Sequence, residues 1–242
     1  MTGSADPRAV STAQLAERLR GETRVLAVSH EAPDGDALGC LSAFMLVCEG
    51  LGIECTAYVP GTSGFPGEYL FLPRIETILR GDPPVTDSQA TVYLFDCASL
   101  LRSNSHGFPE GVARVNVDHH QNNPMYGELN LVDASAPSTS AILYEICKAG
   151  DIRVGPEIAT ALYVGLVTDT GRFQYSNTTP WAHRLAAELQ EEGVDVASVY
   201  RLVYESTPLP KLLLLQRALA HLEVRLGGAL MVSWLGNGDF SD

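Results

Sequence analysis

Two short segments, His30-Glu31-Ala32-Pro33-Asp34-Gly35-Asp36 and Asp118-His119-His120, each put acidic and imidazole side chains directly after an apolar run. Carboxylates are hard oxygen donors and imidazoles suit divalent transition ions, so donors at this density are what a pair of divalent cations needs. In the first segment Pro33 stiffens the turn and Gly35 lets the backbone approach a ligand, so His30, Asp34 and Asp36 can converge from seven residues. An ordinary Asp-Gly turn with a helix-capping aspartate fits the same residues. In the second segment, three consecutive metal-competent side chains at the end of a core strand are costly unless something is bound. Its plainer alternative is a charged surface turn.

Two further aspartates stand at comparable places. Asp96 ends the apolar run Val92-Tyr93-Leu94-Phe95, where it can serve a ligand or cap the next element. Asp169 follows the apolar stretch Leu162 to Val167. A carboxylate on the last turn of a helix opposes the helix dipole, so a bound cation accounts for it better than a cap does. Four acidic segments at the ends of successive core elements make one site more plausibly than four coincidences.

The elements that must position these residues follow from periodicity. Residues 11–20 form an amphipathic helix capped by Ser11 or Thr12 and stopped at Gly21. Arg24 to Ser29 is a nearly continuous apolar run of the central-strand kind, Ala37 to Glu49 is apolar at helical spacing, and Ile53 to Val59 is the next strand. Together they make one βαβ unit. Strands are predicted again at Thr91 to Phe95, Arg114 to Val117 and Glu128 to Val132. Helices are predicted at Ser138 to Ala149, Pro156 to Val167, Thr179 to Glu192, Val196 to Tyr204 and Leu209 to His221. A hairpin through Gly227-Gly228 closes the chain.

The fold class this implies is α/β: a mostly parallel central sheet with helices on both faces. A linker helix and the start of a second, smaller α/β lobe follow it. The expected division is residues 1–205 for the first domain and 206–242 for the linker and incomplete second one. Strand C-terminal ends are where open α/β sheets put their ligands, which is where the acidic segments fall.

Composition narrows the function classes. The chain has 242 residues, 45% of them hydrophobic and 19% charged, as in ordinary globular enzymes. A formal net charge of −13 repels long duplex nucleic acid and phosphate esters, so an anionic substrate must be held locally, and bound cations are the device that inverts the field. The cysteines Cys40, Cys48, Cys55, Cys97 and Cys147 form no C-x-x-C pair and are expected to be reduced structural thiols. No apolar signal core or membrane-length stretch is present, so a cytoplasmic location and no membrane partner are expected.

The pattern H-x-x-P-D-G-D-A-L-G at His30 to Gly39, the aspartate at Asp96, the D-H-H triplet at Asp118 to His120 and T-D-T-G-x-F-x-Y-S-N-T at Thr168 to Thr178 resemble the DHH phosphoesterase superfamily. They most resemble its bacterial nanoRNase and pAp-phosphatase branch, some members of which also cleave cyclic di-AMP or its linear product. The resemblance spans residues 24 to 205 and implies two Mn²⁺ ions, with Mg²⁺ or Co²⁺ as substitutes. It places one ion on His30, Asp34 and Asp96, and the other on Asp36, Asp96, His119 and Asp169, with Asp96 bridging. His120 then faces the substrate phosphate, and Asp118 orients a histidine. A mixed imidazole and carboxylate set favours Mn²⁺ over Mg²⁺.

The implied activity is hydrolysis of short oligoribonucleotides or small nucleotides such as pAp by two-metal activation of water. A manganese-dependent inorganic pyrophosphatase and a non-catalytic nucleotide-binding module are the alternatives. For the substrate, Ser138 and Thr139 at a helix start, and Arg102 and Arg172 by charge, are candidates, each with a bland capping or surface role beside it. Phe173 and Tyr175 are weighed as base-stacking groups against a core role. His106, His183 and His221 carry no motif. Homodimerisation is a further expectation from the resemblance.

Overall fold

Five apolar runs too short for helices become the strands of one sheet. The computed structural model describes residues 6–84, 90–104, 108 and 111–240. His106 lies outside them. The elements of the first part are α1 (Thr12–Arg20), β1 (Arg24–Val28), α2 (Gly35–Leu51), β2 (Glu54–Tyr58), β3 (Thr91–Phe95), β4 (Arg114–Asp118), β5 (Leu129–Val132), α3 (Thr139–Ala149), α4 (Pro156–Asp169), α5 (Pro180–Glu191) and α6 (Val196–Tyr200). Sheet order is β2-β1-β3-β4-β5 and every pairing is parallel. The chain runs outward from β1 to β2 and then returns to β3 on β1's other side. This reversal opens a crevice at the strand C-termini, the usual ligand position of such sheets.

Alternation along β3 divides the core. Tyr93 and Phe95 face α2, where Phe44 meets them at ring-centroid distances of 5.0 and 4.7 Å. Val92 and Leu94 face the other way, in a cluster with Leu26, Val28, Tyr58, Phe108 and Val112 that Leu100 and Tyr126 help to cover. Among the described residues the β3–β4 connection carries the 3₁₀ turn Leu100–Ser103. Helical cover is therefore concentrated on the face that holds α2.

Helices α2 and α4 are apolar nearly all round, and both are buried along most of their length. They approach closely because their contact is lined by glycine. A Cβ built on Gly39 would lie 2.5 Å from the Ala161 carbonyl oxygen, and one on Gly165 would lie 2.0 Å from Ser140 Oγ and 2.5 Å from Asp36 Oδ1. Neither backbone nor carboxylate can retreat there, so the glycines decide how near the start of α2 comes to α3 and α4. The helix predicted over Ala37 to Glu49 runs on to Leu51 and ends at Gly52, whose φ of 73° is the left-handed cap that glycine supplies without strain.

By internal contacts the chain divides into Met1–Val199 and Tyr200–Asp242, rather than at the expected 205/206 join. The helix predicted over 196–204 ends as α at Tyr200 and continues as a π-turn, Arg201–Glu205. The second unit then contains α7 (Leu209–Ala220) and the antiparallel pair β6 (Glu223–Arg225) and β7 (Leu230–Val232). No helix among the described residues is long and apolar enough to cross a membrane. All five cysteines are free, and Cys40, Cys48, Cys97 and Cys147 are buried.

Replacing Gly39 with alanine forces a Cβ against the Ala161 carbonyl and should destabilise the fold by about 1–3 kcal/mol, the usual range for overpacking. A urea midpoint equal to that of the parent chain would contradict this account of the α2–α4 contact.

Candidate metal centre

Every acidic segment singled out in the sequence lies at the C-terminal end of a strand or at a helix end beside it. His30 and Asp34 follow β1, Asp36 opens α2, Asp96 follows β3, Asp118 ends β4 ahead of His119 and His120, and Asp169 ends α4. Three overlapping donor groups result: His30 with Asp34 and Asp96; Asp36 with His119 and Asp169; and Asp96 with His119 and His120. Within each, the donor atoms lie within 4.8 Å of one another.

Asp96 is shared. Its Oδ2 is 3.6 Å from His30 Nε2, while its Oδ1 is 3.7 Å from His119 Nε2 and 3.5 Å from His120 Nδ1. One carboxylate thus turns one oxygen to each histidine set. Asp96 holds a φ of 54°, in the left-handed region that aspartate tolerates better than most residues but still at a cost. It is 2% exposed.

The histidines are oriented from behind. His119 Nδ1 is 3.3 Å from the Ala136 carbonyl, a donation that leaves Nε2 free toward Asp169 Oδ2 at 3.4 Å. His30 Nδ1 is 2.8 Å from its acceptor, the Glu31 carbonyl, which likewise leaves Nε2 facing Asp96. With that proton in place, the exposed Arg102 guanidinium, 2.9 Å from the same nitrogen, is a charged neighbour rather than a donor to it. Asp118 is fully buried and accepts from the amides of His119 and His120, from His120 Nδ1 at 2.7 Å and from Asn123 Nδ2 at 2.6 Å. Its lone pairs are spent on aligning His120, so it stands outside the three donor groups.

Asp34 is both a helix cap and a candidate ligand. Its Oδ1 accepts from the amides of Asp36 and Ala37 as the cap of α2, and Asp34 is also a member of the first donor group. Ser138 and Thr139 depart from the expected substrate role. Both are fully buried: Ser138 Oγ caps α3 through the Ala141 amide, and Thr139 Oγ1 donates to Asp96 Oδ1 at 3.1 Å. The same turn delivers the Thr139 amide to Asp36 Oδ2 at 2.6 Å and the Ser140 amide to Asp36 Oδ1 at 2.9 Å. The anion at this helix start is the protein's own carboxylate.

Arg172 and Phe173 follow Asp169 in left-handed conformation, both at φ 63°. Arg172 is exposed. Phe173 stacks on His183 at 5.2 Å and so serves packing, whereas the Tyr175 ring lies over Gly171 and is 63% exposed.

Asn177 was passed over in the sequence, although it sits inside the quoted T-D-T-G segment. Its Nδ2 reaches the Pro137 carbonyl at 2.9 Å and Asp169 Oδ2 at 3.3 Å, tying the end of α4 to the start of α3. Asn123, four residues after His119, was missed likewise. An amide near an acidic ligand is the signal that each offered.

Electrostatics point to the same chemistry. Burial, then the charges of Asp96 and Asp169, push Asp36 well above the usual carboxylate range. Burial and Asp96 likewise push Asp169 up to about 7. Burial also works against ionised Asp96, but the His30 hydrogen bond and the neighbouring imidazoles hold it below its ordinary value. Carboxylates that raise one another in this way, beside imidazoles with Nε2 free, are suited to divalent cations. The residues present fit a metal centre.

Comparison with known proteins agrees with this chemistry. Residues 24–166 match the model of the DHH family, N-terminal domain. The bifunctional oligoribonuclease and PAP phosphatase NrnA of Thermus thermophilus is 33% identical over 224 residues, which covers 91% of this chain and 66% of that protein. The Bacillus subtilis protein of the same name is 29% identical over 181 residues, 73% of this chain and 56% of its own length. The chain therefore spans less than two thirds of either relative. An exopolyphosphatase-related protein from Bacteroides fragilis shares the fold with a TM-score of 0.74 at 23% identity, over 88% of this chain and 66% of that one. With a matched segment covering more than half of its length and the four acidic segments brought to one crevice, the chain belongs to the DHH family.

Proposed function

We propose that the chain is the catalytic part of a phosphoesterase that hydrolyses short oligoribonucleotides and small nucleotides such as pAp, using two divalent cations, Mn²⁺ in the first place. The observation that carries this reading is Asp96, with one oxygen toward His30 and the other toward His119 and His120. A pure nucleotide binder has no need of a bridging carboxylate. His30, Asp34 and Asp96 would hold one cation and Asp36, Asp96, His119 and Asp169 the other, where bound cations would supply Lewis acidity toward phosphoryl oxygens and a lowered water pKa.

The chain's own residues do the rest. His120 is held by Asp118, and its side chain is 37% exposed, so its ring is open to an incoming phosphate. The hydrogen bond that His120 Nδ1 donates to Asp118 raises the ring's pKa to about 9, which keeps it protonated at neutral pH in the metal-free chain. A protonated His120 can stabilise charge developing on phosphate oxygens or give its proton to the leaving oxygen. Exposed Arg102, beside His30, and Arg172, three residues past Asp169, are the phosphate partners in this reading. The net charge of −13 is unfavourable to long duplex nucleic acid and favours a small ligand gripped locally. The relatives' names for oligoribonuclease and PAP phosphatase activity support the substrate class.

Two measurements check the reading. With Mn²⁺ the chain should turn over pAp or a 5′-labelled dinucleotide, chelation should abolish turnover, and Asp96→Asn should lower kcat by on the order of 10²–10³-fold. No hydrolysis of either by the parent chain would overturn the reading, and preference for pyrophosphate over both would favour a pyrophosphatase. In the metal-free chain, NMR titration of His120 should show a midpoint of about 9 that falls in Asp118→Asn toward the ordinary value of 6.5. Because the folded value is the raised one, the stabilisation from this pair is complete below the unfolded pKa and is lost as pH rises through about 9. A midpoint unmoved by the substitution would rule out Asp118 as the cause.

A further inference from the structure

Thr139 touches two carboxylates that come from different parts of the fold. Its amide donates to Asp36 Oδ2 at 2.6 Å, and its hydroxyl donates to Asp96 Oδ1 at 3.1 Å. It is fully buried, so neither substrate nor solvent shares these bonds. The amide bond is fixed by the backbone of α3 and survives any substitution. The hydroxyl bond is chemistry that the side chain alone provides.

We propose that Thr139 is a positioning residue that sets the rotation of the Asp96 carboxylate and thereby the spacing of the two cation sites. This deepens the dinuclear reading and rests on it. A carboxylate's terminal torsion is broad and roughly two-fold, so packing alone does not decide which way its oxygens point. An ionised carboxylate is an acceptor only, and the Thr139 hydroxyl is a donor held against its Oδ1. With Oδ1 pinned by Thr139, Oδ1 stays near His119 Nε2 at 3.7 Å and Oδ2 stays near His30 Nε2 at 3.6 Å. Rotation of the group would take one oxygen away from each set together. Thr139 therefore supports both sites through one bond. Valine has the same branched shape and lacks only the donor, which isolates the hydroxyl.

The test is Mn²⁺ binding to the full chain by calorimetry together with EPR of the loaded protein. The parent chain should bind two ions and show an exchange-coupled spectrum. Thr139→Val should weaken binding by about 10–100-fold, the range found for residues behind metal ligands, and replace the coupled spectrum by that of isolated Mn²⁺. Thr139→Ser should restore both, since it returns the hydroxyl. Parent-like affinity and coupling in Thr139→Val would overturn the proposal, as would a serine variant as defective as the valine one. Should the valine chain not fold, Thr139→Ala against Thr139→Ser poses the same contrast with a smaller side chain. A parent chain that binds fewer than two ions fails before any variant is made, and that result falls on the dinuclear reading itself.

Discussion

The start of helix α3 is laid against a crowd of carboxylates, and the rest of the site depends on that contact. Asp36 and Asp96 are 1% and 2% exposed, an arrangement that costs several kcal/mol per charge unless hydrogen bonds and counter-charges offset it. The first turn of α3 supplies two amides to Asp36 and one hydroxyl to Asp96, at the positive end of the helix dipole. Immediately ahead of it, the Ala136 carbonyl orients His119, and the Pro137 carbonyl anchors Asn177, which holds Asp169. Residues 136–140 thus align ligands that arrive from α2, β3, β4 and α4.

Bringing four elements to one point requires close packing and local strain. Parallel strands end on the same edge, and the reversal at β1 leaves the crevice between the loops after β1 and β3. Gly39 and Gly165 let α2 and α4 approach until Asp36 meets the α3 turn. Asp96 then takes a left-handed φ, and Arg172 and Phe173 do so just beyond Asp169. Conformations of this kind cost on the order of 1–3 kcal/mol each and persist where surrounding structure dictates them. Here the Phe44, Tyr93 and Phe95 rings behind β3 form the rigid backing. Stiffness behind the site and strain within it belong to the same design.

Much of this was written in local pattern. The Thr91–Phe95 strand has the bounds that its apolar run predicts, and Asp169 stands on the last turn of α4 as its position implied. Near-continuous apolar runs followed by acidic residues identify strand ends because burial and ligation compete for the same few positions. The Ser11 cap and the proline at the start of α4 are likewise local signals. Less legible was the 60–90 segment, where the described residues form 3₁₀ turns rather than periodic elements.

Residue types at their spacings were enough to nominate His30, Asp34, Asp36, Asp96, His119 and Asp169, because ligand chemistry is a property of the side chain itself. The partners behind them were not. Ser138 and Thr139 look in sequence like a helix start open to an anion, and only the packed fold turns that start inward onto Asp36 and Asp96. Asn177 and Asn123 are ordinary polar residues until tertiary contact sets them against Asp169 and Asp118. By itself the sequence determined which donors exist and which elements carry them, since both follow from local chemistry and periodicity. The tertiary structure alone decided which oxygen of Asp96 faces which histidine, because that orientation is fixed by hydrogen bonds between residues far apart in the chain.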